Sequence, residues 1–233
     1  MTTIPTETGR TIGAGALRTP RSAALAGIVF SVLFGITLVV TRLAIPAKPS
    51  DAGAWLSDPT RRDAVLFALA LVPFAGIAFL WFIGVVRDRV GALEDRFFGT
   101  IFLGSGLLFV ATLLAAEAVA VGLVTSAGDH SPSLYASGAW TAGRDVTLEL
   151  VDVGLQIAGV FTIATSTILL RTGSGPRWVA AVGYAIAAFL LLAVYFFVWT
   201  ALLFPIWVLA ISVDILVTAH RAQPSERSAA ESR

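Results

Sequence analysis

Six apolar runs, each close to or beyond the length needed to cross a bilayer, dominate this chain. They fall at about 23–45, 59–86, 97–124, 144–171, 178–199 and 204–219. A helix crosses hydrocarbon in about 20 residues. In hydrocarbon a backbone N–H or C=O without a partner is costly, so such a segment must bond within itself, as a helix does. The fold class follows: all-α, a polytopic membrane helix bundle with six transmembrane helices. Only 13% of the residues are charged, against about 25% in soluble domains.

Taken in order, residues 1–20 are polar and read as a disordered cytoplasmic tail. Arg18 and Arg21 then precede the first run. A signal peptide is the alternative there, but its apolar core is about 7–15 residues long, so a retained span is expected. Residues 46–59 read as a loop along the outer interface, with Trp55 resting in lipid headgroups. Asp58-Pro59 has the form of a helix start, with Asp as N-cap and Pro at the first position. Pro73 should kink the second span by removing one backbone hydrogen bond. Residues 87–96 form a charged turn. A polar loop with His130 and Trp140 is expected at 125–143, and a tight turn at 172–176. The domain reading is a six-helix transmembrane unit at 21–221, followed by a second disordered cytoplasmic tail at 222–233.

Six spans place both termini on one side, and cytoplasmic segments should be rich in Arg and Lys. The two tails with Arg21 and Arg221 at their edges, and the turns at 87–96 and 171–177, hold eleven basic residues. The other two loops hold five: Arg42, Lys48, Arg61, Arg62 and Arg144. Both termini are therefore expected in the cytoplasm. Basic residues that are Arg with a single Lys, in a chain rich in Ala and Gly, point to a bacterium of high GC content and so to its cytoplasmic membrane.

Composition also removes chemistry. The absence of cysteine excludes disulfides, thiolate metal sites and thiol redox reactions. The two histidines, His130 and His220, lie far apart, which argues against a paired-histidine haem. No cofactor and no metal site is expected. A net charge of +1 gives no case for nucleic acid, and the partners expected are the lipid bilayer and a second copy or larger membrane complex.

The fourth run carries the most chemistry. Asp145, Glu149, Asp152 and Gln156 are spaced four, three and four apart, which sets them on one stripe of a helix. Ionisable residues in a membrane helix face protein or water. Glu117, the one acid of the third span, sits about 10 Å below the outer end of its helix, and Asp152 about 9 Å below the same surface. Consecutive antiparallel spans should bring these two carboxyls into one polar pocket, with Glu149 and Gln156 nearby. Two carboxylates in low dielectric cannot both ionise cheaply. A proton, a cation, or an arginine such as Arg42 or Arg144 should compensate them. An arginine pair would make the pocket a structural tie, and its absence would favour a proton or cation site. On the inner side, Tyr184 and Asp214 are expected at equal depth and within hydrogen-bond reach. Gly99, Gly104 and Gly106 read as close helix packing, and Tyr195, Phe196, Phe197 and Trp199 as an interfacial aromatic belt.

The turn from Gly84 to Gly91, with Arg87, Asp88 and Arg89, resembles the signature between the second and third spans of major facilitator transporters. Ala92 and Leu93 stand where that signature has basic residues, and an ordinary basic cytoplasmic turn is the alternative. Arg-x-Ala-Ala-x-x-Gly at 21–27, Pro-Arg-Trp at 176–178 and Phe-Pro-Ile-Trp at 204–207 together resemble a family of uncharacterised bacterial six-span membrane proteins. That resemblance implies a fold and no activity. Three function classes stay open. The first is a small-solute or proton-coupled transport unit using the acidic seam. The second is a non-catalytic accessory or scaffold subunit. An intramembrane enzyme ranks last, because no Ser/His pair, metal constellation or nucleotide loop is present.

Overall fold

The structure is a computed structural model and describes residues 20–45, 54–90, 96–136, 138–173, 176–193 and 198–231. Among them there is no strand. The helices are α1 (Pro20–Ala44), α2 (Pro59–Ala70), α3 (Val72–Val90), α4 (Arg96–Ala136), α5 (Ala139–Thr172), α6 (Arg177–Leu192) and α7 (Leu203–Glu231). Short 3₁₀ turns precede α2 (Ala54–Ser57) and α7 (Val198–Leu202). Five stretches are long and apolar enough to cross a membrane: Ser22–Ala44, Pro59–Gly84, Phe97–Ala127, Ala139–Thr172 and Trp199–Thr218. The sixth, α6, is apolar but 16 residues long. At 1.5 Å per residue it reaches about 24 Å, short of a hydrocarbon core of about 30 Å.

The helices close into a ring. α1 packs on α2, α3 and α7; α4 bridges α3 and α5; α6 lies along α5 and only lightly touches α7. What fills the ring is phenylalanine. Phe30 on α1, Phe79 and Phe82 on α3, Phe102 and Phe109 on α4, Phe161 on α5 and Phe204 on α7 are all fully buried. Phe79 lies 4.6 Å from Phe30, 5.3 Å from Phe109, 5.1 Å from Phe161 and 5.7 Å from Phe204, centroid to centroid. Edge-to-face and tilted pairs of this kind are the favoured aromatic geometry.

Local signals explain where helices begin and bend. Asp58 caps α2 as expected: its carboxylate accepts from the Thr60 N–H at 3.0 Å, and Pro59 holds the first position. The second span breaks at Leu71, two residues before Pro73. Pro73 has no N–H to give Leu69, and Leu71 bonds instead to Ala68 O at 3.2 Å. The neighbouring Ala68 carbonyl, at the same break, takes a second donor. Thr37 on α1 donates to Ala68 O at 2.9 Å, in a buried position. Thr37→Val should therefore cost about 1 kcal/mol or less, the usual worth of one interhelical hydrogen bond. Reversible unfolding in mixed micelles measures this, and a cost above about 2 kcal/mol would show that the bond holds the break open rather than merely decorating it.

Three expectations need correction. The polar loop at 125–143 is mostly helix. α4 runs on to Ala136, and α5 starts at Ala139 after a turn in which Gly138 takes a left-handed φ of 71°. His130 thus belongs to α4. The helices continue because one side of the extension is buried, at Val124, Ala127 and Trp140. Second, Trp55 does not rest in lipid. It is 5% exposed and packs 6.4 Å from Trp140, because the long α4–α5 hairpin provides a wall for it. Third, the fifth span ends early, at Leu192. The N-terminal tail up to residue 19, and Tyr195, Phe196 and Phe197, lie outside the described residues.

Candidate functional site

At the end of the bundle that carries the first 3₁₀ turn and Gly138 there is a partly open cavity of about 500 Å³. α1, α2, the start of α3, α4, α5 and both 3₁₀ turns line it. Most of the wall is apolar, including Trp55, Trp140 and Trp199. The charged residues on the wall are Arg42, Glu117, Arg144 and Asp152, and Thr37, Thr41 and Thr147 add hydroxyls.

The register of α4 against α5 fixes the depth of each charge. A Cβ on Gly143 would lie 2.6 Å from the Leu123 side chain, and one on Gly154 3.6 Å from Thr112. Eleven residues on one helix therefore match eleven on the other, with no slip. Glu117 is then level with residue 149, about 4.5 Å nearer the mouth than Asp152. Arg144, level with Gly122, lies about 7.5 Å above Glu117 and about 12 Å above Asp152. Arg42 sits in the last turn of α1, close to the same mouth. The carboxylates are deep and the guanidiniums are shallow.

The four charges are all half-buried. Among the described residues no ion pair joins either acid to either arginine. Arg144 instead meets its neighbour Asp145 at 3.5 Å. That contact is well exposed, and such pairs contribute little. The threonines do not neutralise the acids either. Thr147 donates to Gly143 O at 2.9 Å, Thr37 to Leu33 O and Ala68 O, and Thr41 to Thr37 O.

Below the acids the cavity stops. Phe34, Leu113 and Leu155 form its floor. Phe34 stacks on Phe30 at 5.4 Å and meets Phe109 edge-on at 5.9 Å. The phenylalanine layer then fills the ring.

The expected site is thus partly assembled. Glu117, Asp152, Arg42 and Arg144 come together around one cavity. Glu149 and Asp145 do not join them: both are exposed and off the wall. Gln156 is half-buried and also off the wall. The acidic stripe is real in the helix, but the cavity faces the stripe beside it, through Trp140, Arg144, Leu148, Val151 and Leu155, and reaches only Asp152. The inner pair also changes. The Tyr184 hydroxyl lies 2.7 Å from Thr167 Oγ1 on α5, and among the described residues no hydrogen bond joins it to Asp214. α6 leans on α5, so the phenol turns there. Trp55 and Trp140, read from the sequence as interface and loop residues, are wall residues, as is the Thr37–Thr41 edge of α1, which the sequence does not single out. Thr37, Thr41 and Ile45 at helical spacing are the one signal that marks this face of α1.

No family model matches the chain, and no curated protein and no solved structure matches it.

Proposed function

We propose that this is a six-span protein of the bacterial cytoplasmic membrane, with both termini in the cytoplasm, and that it is a transport unit for a small solute taken up in the mouth cavity. The observation that carries the reading is the wall itself: Glu117 and Asp152 face a cavity of about 500 Å³ with no arginine bound to either. Burying two carboxylates at one site without a cationic partner costs stability, and such groups in a membrane protein mark a pathway for ions or solutes. The distribution of basic residues along the chain supports a mouth on the outer face. With no internal repeat in the sequence, a full pathway draws on a second copy or a larger complex.

A second reading has its own observation. The phenylalanine layer closes the cavity on its inner side, which suits an accessory subunit that binds a solute without passing it on. The chain has no cysteine, so single-cysteine variants separate the two cleanly. Ala116, 3% exposed on the cavity wall, is replaced by Cys. A membrane-impermeant thiol reagent is then applied to right-side-out and to inside-out vesicles. A transport unit is labelled from both faces, because its aromatic layer must part. Labelling from the outer face alone, under every solute and ionic condition tried, would leave the accessory reading and end the transport one.

A further inference from the structure

We propose that the ligand of the mouth cavity is a zwitterion whose cationic and anionic groups stand at opposite ends of an apolar body, and that it enters cation first. This rests on the reading of the cavity as a solute site and names the class of solute.

Three observations carry it. The wall bears two carboxylates and two guanidiniums, so its formal charge sums to zero. A bare anion would leave both acids uncompensated on a half-buried wall, and a bare cation would leave the two arginines, among the described residues, with nothing beyond the exposed Arg144–Asp145 contact, which is costly in low dielectric. A dipolar ligand compensates both. Next, the charges are sorted by depth. Asp152 and Glu117 lie about 7.5 to 12 Å below Arg144 along the hairpin, and neither acid is paired with either arginine. The opposite charges are held apart by the frame rather than by each other, and a ligand that spans the gap satisfies both. An α-amino acid carries its two charges on one carbon and cannot. Finally, the wall between the layers is apolar, through residues such as Leu148, Val151 and Ala120, and a methylene chain fits it better than a polyol. The same chemistry also exists in a membrane, as the ammonium and phosphate of an ethanolamine lipid headgroup, so the test must separate a free solute from a lipid.

The full chain, purified in a nonionic maltoside detergent, is titrated with four six-carbon probes and binding is followed by the fluorescence of the wall tryptophans. The probes are 6-aminohexanoate, its isomer 2-aminohexanoate, hexylamine and hexanoate. The expected result is that 6-aminohexanoate binds at least tenfold more tightly than each of the other three. Glu117→Gln and Arg144→Gln should each weaken it tenfold or more and erase its advantage over hexanoate or hexylamine respectively. The wild-type series stands alone should either variant fail to fold. Hexylamine or hexanoate binding as well as 6-aminohexanoate overturns the zwitterion and leaves a solute cavity of one sign. Equal binding of the two isomers overturns the end-to-end separation. No binding by any of the four, in detergent and in nanodiscs of phosphatidylglycerol alone, overturns the proposal and the solute-site reading beneath it. Repeating the titration in nanodiscs containing phosphatidylethanolamine identifies the source. Loss of 6-aminohexanoate binding there, with binding kept in phosphatidylglycerol, supports the same chemistry supplied by a lipid headgroup. Binding kept in both supports a free solute.

Discussion

Phe79→Ala is expected to be the most damaging truncation in the core, at about 3 kcal/mol or more. The ring touches Phe30, Phe109, Phe161 and Phe204, which belong to four other helices, α1, α4, α5 and α7. In water much of such a cost is transfer of apolar surface. In a bilayer that part falls away, because a separated helix keeps its surface in lipid. What remains is the void itself and the dispersion attraction that its lining forfeits. Here the void opens at the one point where five helices meet, and their rings cannot all move in to fill it. Phe79→Leu should recover more than half of the loss. Unfolding free energies in mixed micelles test both. A cost for Phe79→Ala under about 1 kcal/mol, well below the usual range for such a truncation, would show that the ring is not the centre of the bundle.

Gly27→Leu is expected to abolish folding, and the gentler Gly27→Ala to cost about 1–3 kcal/mol by overpacking. At Gly27, α1 comes close to both α3 and α7. A Cβ there would collide with Ser212 Oγ and lie 2.8 Å from the Phe82 ring. Ser212 gives the test its specificity. Its hydroxyl donates to Val208 O on its own helix, at 2.7 Å, so Ser212→Ala by itself should cost little. In the background of Gly27→Ala it removes the nearer of the two collisions. A double-mutant cycle should show a favourable coupling of about 1 kcal/mol. Additive effects would mean that the helices simply move apart, against the close approach described. Gly104→Ala is the control: nothing lies within 4 Å of a Cβ at that position, and alanine favours a helix over glycine by about 1 kcal/mol.

That contrast measures how far sequence can be read. Gly104 and Gly106 look alike in the chain, and both read as close packing. Only Gly106 is closely packed, against Ile83 and Phe161, because a glycine shows where a helix can be approached and not whether it is. Helix identity was legible because long apolar runs carry the composition of a segment that bonds its backbone within itself. The start at Asp58 and the bend before Pro73 were legible because each is a local backbone effect. Helix ends governed by tertiary packing were not. Residues 125–136 have the composition of a loop, and the helix is carried into them by the packing of Val124 and Ala127 with Trp55 and Trp140. The candidate site was legible to the level of depth, since the rise per residue puts Glu117 and Asp152 near one another. Azimuth failed. Depth alone could not tell that Glu149 looks away, nor that Tyr184 would find Thr167 before Asp214.

On the membrane placement proposed above, the phenylalanine layer has a consequence for voltage. In a bilayer, a wet cavity on one side of a dry layer carries the potential of its own bulk solution almost to its floor. The membrane potential then falls mainly across the rings of Phe30, Phe79, Phe109, Phe161 and Phe204 rather than across the full thickness of the bundle. A unit charge crossing that layer does work of about 2.3 kcal/mol per 100 mV, while one moving between the mouth and Asp152 does little. Binding at the mouth should therefore be nearly blind to membrane potential, and the electrical work of any passage should be concentrated in the step where the rings part.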